Sequence, residues 1–192
     1  MSLITHVTEC LVRDQIIEND EREIVEYGLE SIWNTLLGLG IVFVIGGFLQ
    51  CVWESLGLWV FLLPLRKSAG GYHANTKGKC LIISAIMIII ALICIMQEWR
   101  INIYTIILAI FSIVIGYIAP VDTANKKLDN EEVRVYRKRT RYILLIEIIL
   151  YFIAVKTESF VLSKIIAMVI ALVGVAVVIG KADYSLKGEK EL

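Results

Sequence analysis

Long apolar runs alternate with short polar connections along this chain, and that pattern predicts helices that cross a membrane. Between residues 33 and 53 the only polar side chains are Asn34, Thr35 and Gln50, and the run matches the ~20 residues one helical crossing needs. After Glu54 the apolar stretch 55–65 is shorter and meets Pro64. It predicts a short tilted span or half of a re-entrant hairpin, ended or kinked by the proline. Four clearer spans follow at 80–96, 101–119, 142–155 and 160–180, with Glu147 inside the third and Lys164 near the start of the fourth. Glycines 38, 40, 46 and 47 suit close helix packing.

The amino-terminal region has a different rhythm. Leu3, Val7, Cys10 and Ile17 fall at helical spacing, residues 18–23 are wholly polar, and Ile24, Tyr27 and Ile32 resume the pattern. This predicts one interrupted or two short amphipathic helices, either at the membrane surface or packed on the protein. The expected fold is therefore all-α: a polytopic transmembrane helix bundle of four to six spans with an N-terminal amphipathic helical segment. The expected division is 1–32 for that segment and 33–192 for the membrane domain, with a chemically distinctive loop at 66–80.

Composition agrees with the pattern. Of 192 residues, 58% are apolar and 20% charged, with a mean hydropathy of +0.75. That excludes a disordered chain, and apolar runs of this length exceed what a soluble core of this size buries. Nineteen bases balance nineteen acids, so bulk charge points to no partner. The first residues lack the basic start and apolar core of a signal peptide.

Local charge is more telling. Residues 1–31 carry eight acids and two bases, whereas 122–141 carry seven bases and four acids. Arg66, Lys67, Lys77 and Lys79 crowd the 66–79 connection, and Lys181, Lys187 and Lys190 follow the last span, while 97–100 and 156–159 hold one base each. Lysine and arginine mark cytoplasmic connections. The 66–79 loop, the 122–141 loop and the C-terminus are thus expected on the cytoplasmic side. The N-terminus is expected there too if 33–65 crosses twice or folds back, and outside if it crosses once; its eight acids and missing signal favour the inside. The basic 126–141 stretch sets topology, or meets acidic substrate residues or anionic lipid. It is short, membrane-flanked and without a binding fold, so nucleic acid is not an expected partner.

Cys10, Cys51, Cys80 and Cys94 show no disulfide framework and no zinc spacing. Unpaired thiols fit a plasma membrane with the chemistry on its reducing face. Cys51 and Cys94 read as small hydrophobes, and His6 as a surface residue. Cys80 differs. It opens an apolar run, which places it in the first turn of a helix, where amide groups and the positive dipole end favour a thiolate. Seven residues earlier stands His73, after Gly70 and Gly71, which allow positive φ or close backbone approach. A Cys–His pair makes a nucleophile at neutral pH. On one straight helix the two would lie ~10.5 Å apart along the axis, so His73 must precede the helix, with 75–78 turning the chain back. One His, one Cys and no nearby carboxylate are too few ligands for a metal.

Several other residues are open to two readings. Glu54 could orient the imidazole or mark a span end, and Gln50 and Glu147 are weaker candidates of the same kind. Asn75 could orient His73 or form the turn. Arg66 could bind a substrate carboxylate or mark the cytoplasmic boundary.

The run Arg66-x-x-x-Gly70-Gly71-x-His73-Ala74, followed by Cys80, resembles the signature of the accessory gene regulator B family. Those proteins are bacterial membrane endopeptidases that process the precursor of a quorum-sensing peptide. Tyr27-Gly28-Leu29-Glu30 and Ala119-Pro120-Val121, followed by Asn125-Lys126-Lys127-Leu128 and a basic cluster, are similar to that family as well. Lys127 stands where the family pattern has a proline.

The resemblance implies a thiol protease in the bacterial cell membrane, with His73 and Cys80 as its catalytic pair and no cofactor. Its partner would be a small amphipathic precursor of the accessory gene regulator D type. Cys80 would cleave off the precursor's C-terminal part and hold the rest as a thioester, which closes to a thiolactone or lactone. Gly70, Gly71, Arg66, Asn75, Lys126 and Lys127 would serve substrate binding or loop structure. The resemblance also implies a homodimer. The competing classes are a peptide exporter or permease subunit, and a structural membrane protein with an accidental Cys–His spacing.

Overall fold

The computed structural model describes residues 3–71, 77–121 and 129–188. These form seven helices, with no strand among the described residues: α1 (Leu3–Arg13), α2 (Arg22–Phe48), α3 (Val52–Ala69), α4 (Lys77–Met96), α5 (Ile101–Ile118), α6 (Asn130–Lys156) and α7 (Phe160–Gly188). The fold is an all-α polytopic bundle. Four of the helices, α2, α4, α5 and α7, are long and apolar enough to cross a membrane. The chain divides into two compact units, Met1–Ile41 and Val42–Leu192.

In the first unit α1 is tied to the start of α2. The Thr5 hydroxyl donates to Glu26 Oε1 at 2.8 Å, and Arg22 pairs with Glu9 at 3.2 Å. Of the one interrupted or two short amphipathic helices expected from sequence, the structure has two pieces, α1 and the first turns of α2, joined through residues 14–21. α2 then runs on without a break into the apolar stretch.

In the second unit α7 is the axis. Its residues 165–174 are buried without exception, and α3, α4, α5 and α6 all pack on it. Small residues set the close approaches. A Cβ on Gly57 would lie 3.2 Å from Ile165 Cδ1, and one on Gly174 would lie 3.1 Å from Phe111 Cβ. Polar side chains in the bundle mostly find acceptors. Tyr104 donates to the Cys94 carbonyl at 2.6 Å, and the Thr105 and Tyr151 hydroxyls join α5 to α6 at 2.8 Å.

Two expectations from sequence are corrected. Stretch 55–65 is not a short fragment: α3 has 18 residues and carries Pro64 inside it. At 1.5 Å per residue that is about 27 Å, close to the bilayer core. The proline removes one amide donor but does not end the helix, because Leu65, Ser68 and Ala69 beyond it are buried. α2 closes just before α3, with Gln50 at φ 56° and the Cys51 amide donating back to the Gly46 carbonyl at 2.8 Å.

The second correction concerns 122–141, which is helical from Asn130 onward. Glu131 and Glu132 occupy the first turn of α6 and its bases follow, an order that suits the helix dipole. Arginine, lysine and glutamate are good helix formers. A buried stripe, Thr140, Leu144, Glu147, Tyr151 and Ala154, continues from this basic end into the apolar one.

Candidate functional site

Cys80 is the fourth residue of α4, in the first turn as its place at the head of an apolar run predicts. It is half-buried and borders a pocket of about 150 Å³. α4 lines one wall with Cys80, Ile83, Ser84, Met87 and Ile88. These positions share one face because three- and four-residue steps follow the helical turn. α7 supplies Leu172, Ala176 and Ile179, and α3 supplies Leu62 and Arg66. The walls are apolar apart from Arg66, Ser84 and the thiol.

The glycine pair builds the rim. Gly70 has φ 70° and Gly71 φ 120°, regions that side-chain-bearing residues rarely adopt. Each also lies where a Cβ has no room. At Gly70 it would fall 2.5 Å from the Val121 carbonyl oxygen, and at Gly71 2.9 Å from the Ala176 carbonyl oxygen, with Arg66 Nη1 against it as well. Gly70 bridges to Val121, whose amide donates to the Ala69 carbonyl at 3.1 Å. The end of α3, the residues after α5 and the body of α7 are thereby fastened together beside the pocket.

Arg66 serves this fastening. Its Nη1 donates to the Gly70 carbonyl oxygen across one turn.

The residues singled out from sequence thus separate into groups. Arg66, Gly70, Gly71 and Cys80 come together. Glu54 does not join them. It lies in the first turn of α3, twelve residues before Arg66, about 18 Å away along the helix axis. Gly78, expected in a turn, is helical and has nothing within 4 Å of its Cβ position. His73, Asn75, Lys126 and Lys127 lie outside the described residues. Glu147 is buried in α6, with no hydrogen-bond partner for either carboxyl oxygen. The described residues hold no cluster of three metal-ligating side chains.

The contact of Val121 with the glycine pair, and the pocket walls apart from Arg66 and Cys80, are absent from the sequence expectations. The α4 wall could have been found by continuing the helical period from Cys80. The α7 wall and Val121 depend on contacts between distant segments and leave no such signal.

The family model for Accessory gene regulator B matches residues 4–179. The chain belongs to the accessory gene regulator B family. It is 28% identical over 166 residues to an AgrB-like protein of Clostridium perfringens (strain SM101 / Type A), covering 76% of each chain. It is also 28% identical over 123 residues to AgrB-like protein 2 of Clostridium perfringens (strain 13 / Type A), covering 60% of this chain and 58% of that one. No solved structure matches the chain. Membership in this family, together with four helices able to span a bilayer, makes it a multi-pass membrane protein of the accessory gene regulator system.

Proposed function

We propose that this protein is a membrane cysteine endopeptidase that matures a cyclic signalling peptide for quorum sensing. The observation that carries the reading is the setting of Cys80. It stands at the head of α4, on the rim of an apolar pocket and beside Arg66. The pinned glycine pair stands two residues before His73 in sequence.

In the reaction, His73 accepts the Cys80 proton and Sγ attacks a backbone carbonyl near the C-terminal end of a short precursor. The Sγ–C bond forms, the C–N bond breaks, and the proton passes to the departing amine. The remaining peptide is held as a thioester. A thiol or hydroxyl within that peptide then attacks the thioester carbonyl, its proton returns to Cys80, and the ring leaves as a thiolactone or lactone. The positive end of α4 steadies negative charge on the carbonyl oxygen during both steps. The apolar walls keep water from the thioester.

Arg66 positions the Gly70 carbonyl, and with it the backbone leading to His73. Glu54 takes no part. Lys126 and Lys127 meet the precursor's charged tail. Residues 1–32 form an amphipathic segment distinct from the peptidase domain 33–192.

The site faces the cytoplasm of a bacterial cell. The ends of α3 and α5 and residue Ala176 of α7 meet at one end of the bundle, next to the three segments richest in lysine and arginine. Family likeness supports a homodimer and a precursor of the accessory gene regulator D type as partner.

Co-expression with a candidate precursor tests the reading. Cys80→Ala and Cys80→Ser should each abolish cleavage, read as peptide mass, while the protein still inserts in the membrane. Normal processing by either variant would refute the nucleophile. Export of the precursor with no change in mass would point to a transporter instead.

A further inference from the structure

Residues 134, 138, 141, 145, 149 and 152 follow one another along α6 in steps of three and four, so they form one stripe. It lies opposite the buried stripe of Thr140, Leu144, Glu147, Tyr151 and Ala154, and every member is exposed. One half of it is Leu145, Ile149 and Phe152, which are 54%, 50% and 54% exposed. The other half is Arg134, Lys138 and Arg141. Apolar side chains turned away from a membrane bundle face lipid, and the same face carries three cations straight out of the hydrocarbon.

Length fixes how far out they reach. The apolar part of α6, residues 142–155, is about 21 Å long, against a hydrocarbon core of about 30 Å. Tilt would only shorten its reach. The flanking bases are therefore held in the headgroup layer, about 5–8 Å deep on each side, rather than in open water. Arg141 lies deepest and extends its charge outward along its apolar stem, while Arg134 is about 10 Å farther out along the axis. Among the described residues none of the three meets a carboxylate. Lys138 instead has its Nζ over the Tyr142 ring, 6.0 Å from the centroid. Glu131 is in the first turn of α6, about 4.5 Å beyond Arg134, on the water side.

We propose that this face is a binding site for an anionic phospholipid, whose phosphodiester is held by Arg134, Lys138 and Arg141 and whose acyl chains lie along Leu145, Ile149 and Phe152. Arginine engages phosphate through two parallel hydrogen bonds, and lysine adds a point charge. The apolar half of the stripe matches one leaflet: from Arg141 to Phe152 is about 16 Å, and half of the hydrocarbon core is about 15 Å. An acidic peptide fits the face less well. It would leave Leu145, Ile149 and Phe152 unused, and the walls of the Cys80 pocket come from α3, α4 and α7. The site goes beyond the peptidase chemistry and needs none of it.

The test uses the full chain, purified in detergent with equimolar phosphatidylglycerol and phosphatidylcholine of identical acyl chains. Native mass spectrometry counts the lipids of each kind that the folded protein retains. A base near an anionic headgroup contributes roughly fivefold, so phosphatidylglycerol should be retained at least about tenfold over phosphatidylcholine. The triple variant Arg134→Gln, Lys138→Gln, Arg141→Gln should bring the two within about twofold of each other. The triple variant Arg134→Lys, Lys138→Arg, Arg141→Lys keeps the charges and should keep the preference. Lys138→Gln alone should lower the preference roughly fivefold, and Arg139→Gln, its neighbour off the stripe, less than about twofold.

Equal retention of the two lipids by the unaltered protein overturns the site. Equal losses from Lys138→Gln and Arg139→Gln overturn it as well, because overall charge would then account for the attraction. A preference that survives the triple glutamine variant while precursor processing is lost would mean that the face meets an acidic peptide, and this too overturns the lipid site. None of these outcomes touches the endopeptidase reading, which falls only if processing does not need Cys80.

Discussion

Gly71→Ala and Gly78→Ala put one methyl group at either side of His73, and the structure gives them opposite signs. At Gly71 the backbone has φ 120°, and holding alanine in such a region costs about 1–3 kcal/mol. The new Cβ would also sit 2.9 Å from the Ala176 carbonyl oxygen, a backbone atom of the central helix, and against Arg66 Nη1. Arg66 is the partner that can yield, and yielding breaks its bond to the Gly70 carbonyl. A hydrogen bond to a charged group is worth about 1.5–3 kcal/mol. Together the change costs about 3–6 kcal/mol, enough to displace the rim but less than the total stability of many domains. At Gly78 the backbone is helical and the Cβ position is open, so alanine is favoured by about 1 kcal/mol. Precursor processing in cells, read by peptide mass, should therefore fall at least a hundredfold for Gly71→Ala and stay near normal for Gly78→Ala. Membrane levels of both proteins, measured in parallel, separate lost geometry from lost protein. Normal processing by Gly71→Ala, or equal damage from Gly78→Ala, would refute the pinned-rim account.

Two further substitutions probe the bundle that holds the site. Gly174→Ala places a Cβ against Phe111 where α5 crosses α7, so it should cost about 1–3 kcal/mol by overpacking. Phe111→Leu in the same chain should restore much of the thermal stability in detergent, and absence of rescue would mean the clash lies elsewhere. Glu147→Leu should raise the unfolding midpoint, because it removes a buried carboxyl whose oxygens have no hydrogen-bond partner, a burden of roughly 1–3 kcal/mol. A marked fall in the midpoint would show that the carboxyl binds something in the working protein.

What could be read from sequence divides along physical lines. α4 and α5 stand nearly where their apolar runs place them, since lipid-facing helices must be apolar throughout and the runs end where the helices do. α3 and α6 were harder, for one shared reason: both are helices with charged ends. Hydropathy sees Arg66 and Lys67, or the bases from Arg134 to Arg141, as the edge of a segment. The backbone continues through them because helix formation depends on propensity and packing, and those residues favour it. In α3 the proline added a second misleading mark. Burial beyond it, at Leu65, Ser68 and Ala69, outweighs the missing hydrogen bond.

The site shows the same division more sharply. Gly70 and Gly71 could be read as positions of unusual backbone, and they are. The reason lies at Val121 and Ala176, about 50 and 105 residues further along, and no local rule links such distant segments. This arrangement also constrains the chemistry. The glycine rim can form only if the ends of α3 and α5 reach the same level of α7, and in a membrane those ends belong to one face of the bilayer. Arg66 and Lys67 at the end of α3, Lys79 in the first turn of α4 and the bases in the first half of α6 are carried to that face with them. Orientation of the bundle and placement of Cys80 are therefore one problem. Any charge pattern that turned the bundle over would carry the glycine pair and Cys80 to the other face of the bilayer together.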